Sequence, residues 1–146
     1  MERLAEVHGR LGLYKCITPN CKYSYEESLT EQDIDLNSLA VEGTSMEGGN
    51  LQLKKAPVCT SCGQPVLPQS LLFDELYESH SHYSWEKAQL WMEDADIYVF
   101  VGTSFSVGVT AEAIAIAEKD KKMVFNFNLA EDNFNCEMYN ILGTNI

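Results

Sequence analysis

Basic residues are scarce in this 146-residue chain: ten Lys and Arg stand against 22 Asp and Glu, for a net charge of −12. Non-specific binding to a phosphate backbone comes mainly from Lys and Arg, so this balance argues against nucleic acid as a direct partner. A basic peptide would be electrostatically welcome. No run of eighteen apolar residues occurs, so no membrane-spanning helix is expected. The opening Met1-Glu2-Arg3-Leu4-Ala5-Glu6 lacks the apolar segment of a secretory signal, and the expectation is an intracellular protein, cytoplasmic or nuclear. No internal repeat and no G-x-G-x-x-G is present; Gly102 and Gly108 do not match that spacing. The five cysteines are odd in number, which argues against a disulfide framework.

Four of those cysteines fall in two close pairs. Cys16-Ile17-Thr18-Pro19-Asn20-Cys21 is C-x4-C with a Pro-Asn turn inside it, and Cys59-Thr60-Ser61-Cys62-Gly63 is a C-x2-C knuckle. Tetrahedral zinc takes four soft ligands, commonly as two such pairs, so Cys16, Cys21, Cys59 and Cys62 are expected to hold one structural zinc ion. Binding of that kind supplies roughly 10–16 kcal/mol of folding energy and can hold together a module with little core. Between the pairs, residues 24–56 are polar and acidic, and Glu42-Gly43-Thr44-Ser45-Met46-Glu47-Gly48-Gly49-Asn50 reads as an exposed, mobile insertion. His80 and His82 lie in a polar stretch and read as solvated loop residues.

The rest of the chain alternates strands and helices. Ile97–Val101 reads as a buried strand that stops at Gly102-Thr103-Ser104. A helix over 110–118 and a second strand over 123–129 follow, which makes one βαβ unit with parallel pairing. Strand, small-residue turn and helix together place free backbone N–H groups at a strand's carboxyl end, where such sheets bind ligands. Asn128 falls level with Gly102 across the sheet. Before this unit, Pro68 confines the strand candidate 65–73 to a sheet edge or a strand start, Ser84 is a candidate N-cap for a helix through Met92, and residues 139–144 read as a further short strand.

In order, the chain shows a His-Gly, a four-cysteine module, a Phe-x-Glu loop, a Gly-Thr-Ser turn and an Asn-ended strand. This sequence resembles the sirtuins, the NAD-dependent protein deacylases, over nearly its whole length. The match is to the C-terminal half to two-thirds of a sirtuin catalytic domain. The resemblance implies that His8 is the catalytic general base and that the four cysteines are structural zinc ligands. It assigns Gly102, Thr103, Ser104, Asn128 and Leu129 to NAD, and Leu71, Phe73, Asp74, Glu75 and Val107 to an acylated lysine held in an extended peptide. The sequence departs from the family pattern in its C-x4-C spacing, in Asp74 where a glycine is usual, and in Gly108-Val109 where Tyr-Pro is usual. The family's Gly-Ala-Gly loop and Gln-Asn-x-Asp segment are not found in these residues. The isolated chain is therefore expected to bind zinc and to show little or no deacylation.

The expected fold is α/β, a partial Rossmann-like parallel sheet with an inserted small zinc-binding module. Residues 1–15 and 63–146 would form the NAD-binding part and 16–62 the zinc module. The competing expectation is a non-catalytic zinc-bearing module that binds a protein or peptide.

Overall fold

A computed structural model describes residues 3–45, 47–129 and 138–142, with the backbone alone for 140–142. It divides into two compact units, Met1–Glu86 and Lys87–Ile146.

The first unit is built on an antiparallel sheet in the order β2-β1-β3, from β1 (Gly9–Cys16), β2 (Leu29–Thr30) and β3 (Val66–Ser70). β3 is an edge strand, which is why Pro68, with no N–H to donate, is tolerated there. At its start, β1 lies directly against β3: a Cβ on Gly9 would sit 1.8 Å from the Gln69 carbonyl oxygen, and Gly9 has φ +90°. Only glycine fits that approach. Gly9→Ala is expected to cost about 3 kcal/mol, read as a lower denaturant midpoint; an unchanged midpoint would contradict the packing.

Residues 24–56 contribute more to this unit than their composition suggests. Thr30 caps the short helix α1 (Glu31–Ile34): its hydroxyl accepts from Asp33 N–H, and the Asp33 carboxylate accepts from Thr30 N–H in return. A second short helix, α2 (Leu36–Leu39), follows. Leu29, Ile34 and Leu36 are buried with Cys16, Cys59 and Val66 in one core. Residues 43–50, apart from Met46, carry no buried residue, as expected of the glycine-rich stretch.

The second unit is a parallel sheet in the order β4-β5-β6, from β4 (Ile97–Val101), β5 (Met123–Asn128) and β6 (Tyr139–Leu142), with α4 (Gly108–Lys119) linking β4 to β5. The register pairs Ile97 with Met123 and Val101 with Phe127, the expected βαβ arrangement. Helix α3 (Trp85–Asp94) begins one residue after Ser84, which has φ +51° and donates its hydroxyl hydrogen to the His82 carbonyl. β4 is not buried on both faces. Tyr98 and Phe100 pack with Ala113, Ile114 and Ala117 of α4, while Ile97, Val99 and Val101 are exposed among the described residues. Residues 143 and 144, the end of the expected last strand, lie outside the described residues.

Candidate functional site

The four expected metal ligands converge. Their sulfur atoms all lie within 4.8 Å of one another, with Cys16 Sγ 3.4 Å from Cys62 Sγ and Cys21 Sγ 3.8 Å from Cys59 Sγ. A tetrahedral ion with metal–sulfur bonds of about 2.3 Å sets its sulfurs about 3.8 Å apart, so the cluster has the dimensions of such a site. Cys16 ends β1, and Asn20 turns the chain to Cys21 through φ +65°. The second pair sits in a turn closed by Gly63 N–H to Cys59 O at 2.8 Å and Cys59 N–H to Gln64 O at 2.7 Å. Thr18 N–H donates to Cys16 Sγ at 3.4 Å.

The thiols are electrostatically unequal. The Gln64 N–H, with help from Cys16 and Thr18, draws Cys62 down to about 7. At Cys21 the Tyr23 N–H also acts downward, but burial and hydrogen bonds from the neighbouring thiols outweigh it and push the group up to about 11. Four thiolates this close would require a cation between them, and a soft divalent metal would supply one.

His8 stands just before β1, exposed, with its Nε2 3.3 Å from the Tyr77 hydroxyl. Tyr77 stacks on Trp85 at 4.3 Å between ring centroids, which holds that hydroxyl in place. The His8 carbonyl accepts from Leu71 N–H at 3.1 Å, so the segment that follows β3 is tied to the histidine's own backbone. In that segment Leu72 and Glu75 close a turn: Glu75 N–H donates to Leu72 O at 3.1 Å, and Leu72 N–H donates to the Glu75 carboxylate at 3.0 Å. Phe73 and Asp74 occupy the tip and are exposed. His8, Leu71, Phe73, Asp74 and Glu75 therefore share one framework.

In the second unit, Gly102 (φ +62°) follows β4, and its N–H donates to Phe127 O at 2.9 Å. A Cβ on Gly102 would meet nothing within 4 Å, so the space above this turn is open. Asn128 Nδ2 donates to Thr103 O at 2.7 Å, and Asn128 Oδ1 accepts from Leu129 N–H. Thr103 Oγ1 accepts from Phe105 N–H, and Ser104 Oγ lies 2.8 Å from Ser106 Oγ. Val107 precedes α4 and has no side-chain oxygen with which to cap it. Gly102, Thr103, Ser104, Asn128, Leu129 and Val107 thus border one exposed turn at the carboxyl end of the parallel sheet, where open α/β sheets take ligands.

The profile of the Sir2 family matches residues 1–109. The chain belongs to the Sir2 family. The NAD-dependent deacetylase sir2E of Dictyostelium discoideum is 46% identical over 143 residues, covering 98% of this chain and 41% of that protein. The chain thus spans less than half the length of this curated relative. Solved structures share the fold at 20% identity: a Sir2 homologue–NAD complex superposes with a TM-score of 0.62, over 93% of this chain and 43% of that one. A Sir2 bound to acetylated peptide superposes with a TM-score of 0.62, over 92% and 47%. The Sir2 fold is the α/β arrangement expected from the sequence, with the four-cysteine cluster in its first unit.

Other polar groups were not anticipated. His80 is buried rather than solvated: its Nδ1 accepts from His82 N–H at 3.1 Å and its Nε2 lies 3.1 Å from Glu27 O. That pattern fixes the neutral tautomer with the proton on Nε2, and burial, against the pull of the Glu27 carbonyl, lowers its pKa from the usual 6.5. A base depressed in the folded state stabilises fully above the unfolded value near 6.5 and loses that contribution as pH falls toward the folded value. His80→Leu is expected to lower stability at pH 8 by about 1–3 kcal/mol, because His82 N–H and Glu27 O lose a partner. It should also flatten the loss of stability just below pH 6.5 in denaturant titrations. An unaltered acid slope would contradict the assignment. Lys15, buried beside Glu75, also went unmarked in the sequence.

Proposed function

We propose that this chain forms part of an NAD-dependent protein-lysine deacylase, in which an acyl group passes from lysine to ADP-ribose as nicotinamide is released. The observation that carries the reading is the joining of His8 to Leu71 through a backbone hydrogen bond, in a chain of the Sir2 family. It joins the backbone of a histidine to the segment expected to bind the acylated lysine.

His8 is the general base, with Tyr77 hydroxyl at its Nε2. Leu71 and Phe73 provide apolar surface for the acyl-lysine stem, and the backbone of Phe73–Glu75 offers an edge to an extended peptide. Gly102, Thr103 and Ser104 receive the nucleotide at the open turn, and Asn128 with Leu129 borders its adenine-side ribose. Bound NAD would supply the anomeric carbon of its nicotinamide-side ribose, whose bond to nicotinamide would break as the acyl oxygen bonds to it. Asn128 already holds Thr103 O, so the turn is fixed before any ligand arrives. The four cysteines hold one zinc ion that takes no part in the chemistry, since four protein sulfurs leave no open position. The acidic surface suits basic peptide substrates.

The test is mass spectrometry of an acetyl-lysine peptide incubated with the polypeptide that carries this sequence. Loss of the acyl group only when NAD is added, with the acyl group recovered on ADP-ribose, is the expected result. Acyl loss without NAD, or peptide binding without acyl loss, would contradict it; the second outcome would favour a peptide-binding module.

A further inference from the structure

Lys15 is the second-to-last residue of β1, next to Cys16, and its side chain is only 7% exposed. A buried ammonium must find acceptors for all three of its N–H groups. It finds them in three places: the Glu75 carboxylate at 2.6 Å, the Tyr83 hydroxyl at 2.9 Å and the Ser70 carbonyl at 2.9 Å. Its donors are thereby used up, so it has none left for a ligand, and its work is structural. Its partners show what it holds. Ser70 ends β3, Glu75 closes the Leu72–Glu75 turn, and Tyr83 is fully buried.

The same strand grips the same segment at its other end. There the His8 carbonyl takes Leu71 N–H, and Gly9 lies against Gln69. His8 therefore stands just before one end of β1 and Lys15 near the other, and the chain from Ser70 to Glu75 is fastened to both. Among the described residues, Phe73 and Asp74 at the exposed tip show no such fastening of their own. Their position depends on the two ends of the turn.

We infer that Lys15 is the positioning residue of the substrate segment: through Glu75 it fixes the Leu71–Glu75 turn in register with His8, so that a bound peptide meets a preformed edge. This rests on the deacylase reading for the identity of the ligand, while the clamp itself rests on the contacts. A preformed edge tightens peptide binding without touching the reacting atoms. Its loss should therefore appear in KM and not in kcat.

The experiment compares the native protein with Lys15→Met, Glu75→Gln and the double variant, all loaded with zinc. Hydrogen exchange at Leu72 N–H reads the clamp directly. In Lys15→Met it should quicken by about tenfold or more, the factor carried by one lost charge-assisted hydrogen bond. Exchange at Gly63 N–H, in the metal turn, should not change. KM for an acetyl-lysine peptide should rise about tenfold with kcat held within about threefold. The double variant should be no worse than the worse single one, because both substitutions open one clamp. Unaltered Leu72 exchange in a folded Lys15→Met protein, or additive effects in the double variant, would overturn the inference. If Lys15→Met does not fold, Glu75→Gln, which keeps an acceptor but loses the charge, carries the same test. Native protein that shows the exchange effects without NAD-dependent turnover would retain the clamp and overturn the deacylase reading instead.

Discussion

Stripping the metal with a strong chelator is expected to unfold the first unit and leave the second standing. Two of the four thiols, Cys16 and Cys59, are themselves part of the first unit's core, alongside Leu29, Ile34, Leu36 and Val66. A core of that size supplies little on its own. The metal contributes roughly 10–16 kcal/mol, more than the whole stability of many domains. The second unit's core of Tyr98, Phe100, Phe105, Ala113, Ile114, Ala117 and Val124 contains none of the ligands. Limited proteolysis after chelation should therefore cut within residues 9–70 and spare 97–128. Cys59→Ser should act in the same way. Acid should mimic the chelator, since each ligand must be a thiolate and protons compete with the metal as pH falls. A first unit that stays protease-resistant and folded without metal would show that the sulfur cluster is incidental.

The second large effect is expected at His8. Replacement with Ala or Tyr should lower turnover of an acylated peptide by about 10²- to 10⁴-fold, the range a positioned general base contributes. Folding should be little affected. The His8 ring is exposed, and its Nε2 lies beside the Tyr77 hydroxyl, which water can replace. The tie to Leu71 runs through the His8 carbonyl and survives any side-chain change. Zinc content, thermal midpoint and peptide affinity should thus stay near native values while kcat collapses. Comparable turnover in the Ala variant would remove His8 from the role of base. Tyr77→Phe gives a milder companion result, a severalfold lower kcat with folding intact. It tests whether the hydroxyl beside Nε2 sets the imidazole's orientation; an unchanged kcat would contradict that.

Much of this architecture is legible in the residues because short-range rules agree with long-range ones. Ile97–Val101 stops at a glycine, and the strand ends there because Gly102 alone adopts φ +62° without strain. Two close cysteine pairs, C-x4-C and C-x2-C, leave few alternatives to a metal, and their sulfurs converge. The start of α4 was less legible. It begins at Gly108 behind an extended Val107, with no capping side chain to mark it. The insertion is hard to read for a different reason: its acidic composition hides three well-spaced apolar residues, Leu29, Ile34 and Leu36, and a reciprocal Thr30–Asp33 cap.

Lys15 and His80 show where composition gives no warning. Each is a polar residue in a segment that reads as strand or loop, and each is buried because partners distant in sequence complete its hydrogen bonds: Glu75 and Tyr83 for Lys15, Glu27 for His80. Nothing local in the sequence specifies such partners. They become visible only once β1 and β3 are paired.

The measurement that bears most directly on the whole account is the stoichiometry of the proposed reaction. With the polypeptide carrying this sequence, an acetyl-lysine peptide and NAD in one vessel, nicotinamide released and acyl groups removed should accumulate in equal amounts, and neither should appear when the peptide is unmodified. Acyl removal without matching nicotinamide, or nicotinamide release indifferent to the acylated lysine, would contradict it.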